Sequence, residues 1–374
     1  MLYTNALVFL PGQGFVPGGF EVEEGRFVRV FAGERTGGED LGRAHVIPGL
    51  VDIHTHGAAG ADFSDGDPDG LRRMARHLAT RGVTSFAPTS MTLPYETLSG
   101  AFQTAADLAA DRPAEAARVM GIHMEGPYFS ERKKGAQNAA YLKLPDFEGF
   151  RALQESCGGL VRIVDVAPEL EGAADFAEKA KALCTVSVAH TDADYDQARA
   201  VFAAGASHLT HLYNAMPPIH HRKPGVIGAA SEREDVIAEL ICDGLHVHPS
   251  AVRMAFRLFP GRICLISDSQ RCCGMPDGEY ALGGQLAVLS GGVARLSDGT
   301  IAGAASDLYA DMRNAVAFGI PKEEAVLAAT LRPAREIGRE REIGSIEEGK
   351  LADFVVCGED LSLRRVFIGG KEIR

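Results

Sequence analysis

The sequence predicts a (β/α)8 TIM barrel with a small β-sandwich domain formed by both chain termini. Three observations predict it. From about residue 46, short apolar runs near 46–53, 83–88, 119–124, 161–166, 185–189, 207–211, 237–242 and 263–267 alternate with helical patterns. Five of these runs end on a histidine or a carboxylate: His54-x-His56, Glu125, His190, His211 and Asp268. The two ends of the chain instead carry glycine-punctuated alternation of apolar and polar residues, the pattern of short strands.

Residues 1–45, with the alternation of Phe20 to Phe31, and residues 343–374 together supply the small β-sandwich. The barrel takes 46–342. Amphipathic periodicity over Gly70–Arg81, Glu96–Ala110 and Ala193–Ala204 supplies outer helices. The segment 278–300 contains Gly283-Gly284, Gly291-Gly292 and Asp298-Gly299 and reads as β-hairpins inserted after the eighth strand. Helices resume over Asp307–Phe318 and Lys322–Thr330.

Composition narrows the function. A chain of 374 residues, 46% hydrophobic and 24% charged, buries a sizeable core and is neither disordered nor fibrous. No apolar run approaches the about 18 residues of a membrane span. The start, Met-Leu-Tyr-Thr-Asn-Ala-Leu, lacks a basic region and a cleavage site, so a cytoplasmic protein is expected. A net charge of −12 disfavours nucleic acid and acidic membrane as partners. The basic run His220-His221-Arg222-Lys223 can still meet a small anion, or be a solvated loop. Seven scattered cysteines fit a reducing compartment. The adjacent Cys272 and Cys273 read as two small buried residues or as a reactive thiol near the metal region.

In a TIM barrel the active site lies at the C-terminal ends of the strands. Alternate side chains of a strand share a face, so His54 and His56 point the same way, as a divalent metal requires. His-x-His alone is as readily explained by packing. Each of Glu125, His190, His211 and Asp268 can likewise be a cap, a turn residue or a satisfied core histidine. That all lie at strand ends of one barrel points to a metal centre.

Val46-Ile-Pro-Gly-Leu-Val-Asp-Ile-His-Thr-His-Gly, Gly121-Ile-His-Met-Glu-Gly-Pro, Thr210-His-Leu-Tyr-Asn-Ala-Met-Pro, Asp243-Gly-Leu-His and Ser267-Asp resemble the amidohydrolase superfamily and, within it, the N-acetylglucosamine-6-phosphate deacetylases. The resemblance covers essentially the whole chain. It implies hydrolysis of the N-acetyl group of N-acetyl-D-glucosamine 6-phosphate to D-glucosamine 6-phosphate and acetate, in amino-sugar catabolism or cell-wall recycling. It also implies a metal held by Glu125, His190 and His211. His54, His56 and Asp268, with Glu125 bridging, could hold a second, so one or two divalent ions per subunit are expected, zinc or iron. Asp268 would take a proton from water and return it to the departing amine. Gln137, Asn214, Ala215 and His246 would contact the sugar phosphate. Arg222 would reach the phosphate in the neighbouring active site, which implies a homodimer. His123 and His208 are left as core or supporting residues.

Three departures from the family pattern bear on the substrate. Gln137 stands where the family has a histidine that hydrogen-bonds the substrate carbonyl, and an amide cannot carry its charge. Ser269-Gln-Arg-Cys-Cys-Gly274 replaces small residues, with Arg271 adding bulk and charge at the rim. Gly303-Ala-Ala-Ser306 replaces a Gly-Ser pair. These leave room for N-acetylgalactosamine 6-phosphate or another N-acetylated sugar phosphate as substrate. A cyclic-amide hydrolase of the same superfamily is a further alternative, against which stands the lack of a plausible carbamylated lysine after strand four. A non-catalytic sugar-phosphate binder would be expected to have lost a ligand, and none is lost.

Overall fold

The structure, a computed structural model, describes residues 1–113 and 115–373. Eight parallel strands form the barrel: β1 (Leu50–Thr55), β2 (Val83–Ser90), β3 (Ile122–Met124), β4 (Val161–Val166), β5 (Thr185–Val188), β6 (His208–Leu209), β7 (Ile237–Ile241) and β8 (Ile263–Ile266). Each pairs in parallel with the next from β1 to β8. At the seam, Asp268 N–H donates to His54 O at 2.9 Å.

Two of the apolar runs are interrupted. The run 46–53 divides at Gly49: His45–Pro48 joins the terminal sheet and Leu50–Thr55 opens the barrel. Close packing requires glycine at this junction, since a Cβ at Gly49 would lie 2.1 Å from Thr84 Oγ1. The run 119–124 is split into Arg118–Val119 and β3, and the register against β2 gains one residue between them.

The helices follow from their ends and their apolar stripes. Pro68–Thr80 is capped by Asp67, which accepts from Asp69 N–H, and has proline at its first turn. It buries Leu71, Met74, Ala75 and Leu78 at helical spacing. Tyr195–Ala204 begins with a reciprocal cap between Asp194 and Gln197 and ends at Gly205.

The barrel strands serve two cores. Val164, Val166, Val186, Val188, Leu240 and Leu265 pack with the outer helices. The intervening positions carry His123, Asp165, Ser187, His208 and Glu239, all fully buried. These polar groups pair with one another, with backbone or with Thr210 and Glu336, as burial demands. His123 lies 3.0 Å from both Ile53 O and Asp165 Oδ1, and Thr210 donates to Asp165 at 3.0 Å.

The terminal sandwich takes the form of one mixed eight-stranded sheet. Its order is Lys371–Ile373, Leu363–Ile368, Phe354–Cys357, His45–Pro48, Leu2–Leu10, Gly14–Glu23 and Arg26–Ala32, with Glu39–Asp40 beside Leu2–Leu10. The sheet curls until Phe27 N–H donates to Lys350 O at 3.0 Å. Tyr3, Phe20, Phe27, Phe354 and Phe367 fill its interior with ring centroids 4.3 to 6.1 Å apart where they meet. After β8, residues 278–304 form an antiparallel four-stranded sheet: Gly278–Leu282, Gln285–Ser290, Val293–Leu296 and Ile301–Ala304. It packs on Met91 and Cys272 and places Thr300, Ile301 and Gly303 at the mouth of the barrel. Helices then run over Leu308–Ala317 and Lys322–Ala329.

Candidate active site

At the C-terminal end of the barrel lies a cleft of about 290 Å³. His56, Glu125, Gln137, His190, His211, Asn214, Ala215, His246 and Asp268 line it. Three of these sit on backbone turned into the left-handed region just after a strand: His190 (φ 43°), His211 (φ 31°) and Asp268 (φ 47°). Such conformations cost about 1–3 kcal/mol each for a residue with a side chain and recur at functional sites.

Glu125, His190 and His211 converge. Glu125 Oε1 is 3.1 Å from His190 Nε2 and 3.2 Å from His211 Nε2, and the two nitrogens are 3.1 Å apart. Ligands around a tetrahedral ion with bonds of about 2.0–2.1 Å stand about 3.3 Å from one another, so these donors fit one divalent metal. A second group adjoins it. His56 Nε2 lies 3.3 Å from Glu125 Oε2 and 3.4 Å from Asp268 Oδ1. His54 Nε2 lies 3.5 Å from Glu125 Oε1 and 3.6 Å from Asp268 Oδ1, and it is a buried nitrogen with no hydrogen-bond partner. His54, His56 and Asp268 offer three atoms close enough to share an ion, with Glu125 between the two groups.

The imidazoles are oriented from behind. His190 Nδ1 is 2.8 Å from Lys133 O, and Phe129 stacks on the ring. His56 Nδ1 is 3.1 Å from Thr89 O and His54 Nδ1 is 2.9 Å from Glu239 Oε2. A proton on each Nδ1 leaves the Nε2 lone pair facing the cleft, as a ligand needs. Electrostatics agree. Burial alone would lower the His56 and His211 pKa values. The Asp268 and Glu125 carboxylates outweigh it and raise both to about 9. Burial would raise the Asp268 pKa, but the hydrogen bond from His56 and the charges of His54 and His56 hold it below the usual carboxylate range. A cation would replace those protons.

The remaining residues singled out from sequence divide. His246 is held by Asp243 at 2.6 Å, and Asn214 turns its amide back to His211 O at 3.3 Å. Gln137 does not present a free amide to the cleft: its Nε2 donates to Glu125 Oε2 and its Oε1 accepts from Thr92 N–H at 2.7 Å. Arg271 is not at the cleft. It donates to Asp65 at 2.6 Å, Ala281 O at 2.9 Å and Gly60 O at 3.2 Å, tying the loop after β1 to the inserted sheet. Arg222 is exposed and lies outside the cleft lining. Cys272 and Cys273 are buried, the latter donating to Ser306 O.

Glu239 was not singled out. It is fully buried, accepts from His54 Nδ1 and from His211 N–H at 3.2 Å, and lies 3.1 Å from His208 Nε2. The available signal is a lone carboxylate inside the apolar strand Ile237-Ala-Glu-Leu-Ile.

Comparison with known proteins agrees with this geometry. The amidohydrolase family profile matches residues 45–373. The chain is 37% identical to the N-acetylglucosamine-6-phosphate deacetylase of Vibrio furnissii over 88% of this chain and 83% of that protein. It is also 37% identical to the N-acetylgalactosamine-6-phosphate deacetylase of Escherichia coli O157:H7 over 87% of each. A mutant N-acetyl-D-glucosamine-6-phosphate deacetylase of Mycobacterium smegmatis, solved with N-acetyl-D-glucosamine 6-phosphate, superposes with a TM-score of 0.94 at 34% identity, covering 100% of this chain and 99% of that one. Barrel, converging ligands and relatives together establish that the chain belongs to the amidohydrolase family.

Proposed function

We propose that the protein hydrolyses the N-acetyl amide of N-acetyl-D-glucosamine 6-phosphate to D-glucosamine 6-phosphate and acetate. The observation that carries this reading is the meeting of Asp268 with both ligand groups in one cleft, in a chain so similar to a deacetylase solved with that sugar phosphate. Glu125, His190 and His211 would hold one divalent metal, and His54, His56 and Asp268 a second, with Glu125 shared. Zinc and iron both suit such ligands. A divalent metal bound there supplies Lewis acidity toward water and the acetyl carbonyl.

The chain's own residues do the rest. Asp268, held as a carboxylate, accepts the proton of the attacking water as the new C–O bond forms. It then gives that proton to the amide nitrogen as the C–N bond breaks, and acetate and the free amine leave. Gln137, fixed at both ends of its amide, positions Glu125. His246, Asn214 and Ala215, which line the cleft, would face the sugar. No lysine or arginine is among the residues described as lining the cleft, so the phosphate needs a cation from elsewhere. This supports Arg222 of a neighbouring subunit in that role, and with it a homodimer.

The E. coli relative favours one further reading, the galactosamine epimer as substrate. Acetate release from the two N-acetylated hexosamine 6-phosphates and from unphosphorylated N-acetylglucosamine, with and without chelator, tests both. Chelator-sensitive turnover of the glucosamine phosphate is expected. Turnover of the epimer alone moves the assignment, and no turnover by metal-loaded protein refutes it.

A further inference from the structure

His208 is fully buried at the first position of β6, and each of its ring nitrogens meets a carboxylate. Nδ1 is 2.9 Å from Glu336 Oε2, and Nε2 is 3.1 Å from Glu239 Oε1. Neither His208 Nε2 nor Glu239 Oε1 has another hydrogen-bond partner. The second oxygen of Glu239 is 2.9 Å from His54 Nδ1, and His54 Nε2 faces Glu125 and Asp268. Glu336, His208, Glu239 and His54 thus form one series in which carboxylate and imidazole alternate.

The series runs the length of the barrel. His208 opens β6, Glu239 lies in the middle of β7, and His54 is next to last in β1, at the end that holds the cleft. Glu336 ends the short helix Leu331–Glu336. Ala334 and Ile337, on either side of it, pack with Val51, Ile53, Ile163 and Ile266. Thr185, the first residue of β5, donates to Glu336 O at 3.0 Å. The helix therefore closes the end of the barrel opposite the cleft. The Glu336 side chain is 14% exposed, while those of His208, Glu239 and His54 are fully buried.

An imidazole between two carboxylates keeps both of its protons. Burial alone would lower the His208 pKa, but Glu239 and Glu336 raise it to about 10. With Glu336 neutral, one carboxylate is left to offset burial, and Glu239 faces a weaker cation. Glu239 then holds the His54 Nδ1 proton less firmly, and the Nε2 lone pair aimed at the second ligand group is less basic and less fixed. The ring of His211 does not enter the series; that residue meets Glu239 through its backbone N–H, at 3.2 Å.

We propose that Glu336 is a positioning residue for the second metal: from the far end of the barrel, through His208 and Glu239, it fixes the tautomer of His54. The proposal rests on the two-metal reading of the cleft.

The test is Glu336→Gln, which keeps the shape and removes the charge. Chelator-competition titration of apo protein with zinc measures both equivalents in wild type, Glu336→Gln, Glu239→Gln and the double variant, with melting temperature alongside. In Glu336→Gln the second equivalent should weaken about tenfold and the first by no more than about twofold. In the Glu239→Gln background the same substitution should change the second equivalent by less than about twofold, because the path is already cut. A variant that melts lower yet binds both equivalents with wild-type affinity overturns the proposal, and so does a tenfold effect that persists on Glu239→Gln. Should Glu336→Gln fail to fold, Glu336→Asp is read instead: weakening confined to the second equivalent is expected, and wild-type affinity for both overturns the proposal. A wild-type protein that takes up a single equivalent removes the two-metal reading, and the proposal with it.

Discussion

Glu239→Gln is the substitution that most directly probes how the site is held. Glu239 accepts from His54 Nδ1 at 2.9 Å and His211 N–H at 3.2 Å, and faces His208 Nε2 at 3.1 Å and His123 Nδ1 at 3.7 Å. Burial would raise its pKa, but the charge of His54, hydrogen bonds from His208 and His54, and the charge of His123 hold it well below the usual carboxylate range. Glutamine keeps the shape and one acceptor oxygen. Its NH2 cannot accept from His208, which is raised to about 10 against the effect of burial by Glu239 and Glu336 and so is a donor at both nitrogens. Loss of one charge-assisted contact with a donor facing a donor costs about 1–3 kcal/mol of stability. His54 also loses the anion that fixes its tautomer, and removing such a partner typically weakens metal binding by about 10–100-fold, or about 1.4–2.7 kcal/mol. The effect should fall on the second equivalent of metal, which His54 would bind, more than on the first. Chelator-competition titration of apo protein, followed by elemental analysis after dialysis, measures both equivalents. A variant that folds and binds both with wild-type affinity would refute the positioning role.

Other consequences follow from the same geometry. On the proposed mechanism Asp268→Asn lowers kcat by about 10²–10⁴-fold, measured by acetate release, while metal at Glu125, His190 and His211 is retained. Because His56 and His211 are raised to about 9 in the metal-free chain, each gives up a proton when metal binds below that pH. The slope of log affinity against pH should approach about one for each of the two metal equivalents below pH 9 and flatten above it, which calorimetry in buffers of different ionisation enthalpy checks. The metal-free chain should respond oppositely: with folded pKa values above the model value of 6.5, the stabilisation from these two histidines is complete below pH 6.5 and is lost as pH rises through about 9. A melting temperature that rises over this interval in chelator would contradict the assignment. Arg222→Ala should raise KM for the phosphorylated sugar about tenfold or more, and dimers mixing Arg222→Ala with Asp268→Asn subunits should recover about a quarter to a half of wild-type activity; no recovery would exclude a contribution across subunits.

The barrel was legible because its strands are short apolar runs and its helices have capped, periodic stripes, both local signals. The ligands were legible for the same reason: each sits at a strand end, and the barrel brings strand ends together. What escaped depends on contacts between segments far apart in sequence. Glu239 looks like any interior strand residue until β1, β6 and β7 set it among His54, His208 and His211. Arg271 looks like a charge at the rim, yet three acceptors from the loop after β1 and the inserted sheet draw it away. Gln137 seems to fill a substrate-facing position, but Thr92 N–H takes its oxygen and thereby points its NH2 at Glu125. Sequence supplies the chemical capacity of an amide or a guanidinium; which partner claims that capacity is decided by which unmatched donor or acceptor the fold leaves within reach. By that rule Gln137 is already committed inside the protein: Thr92 N–H claims its oxygen, and the carboxylate of Glu125, not a substrate, takes its NH2.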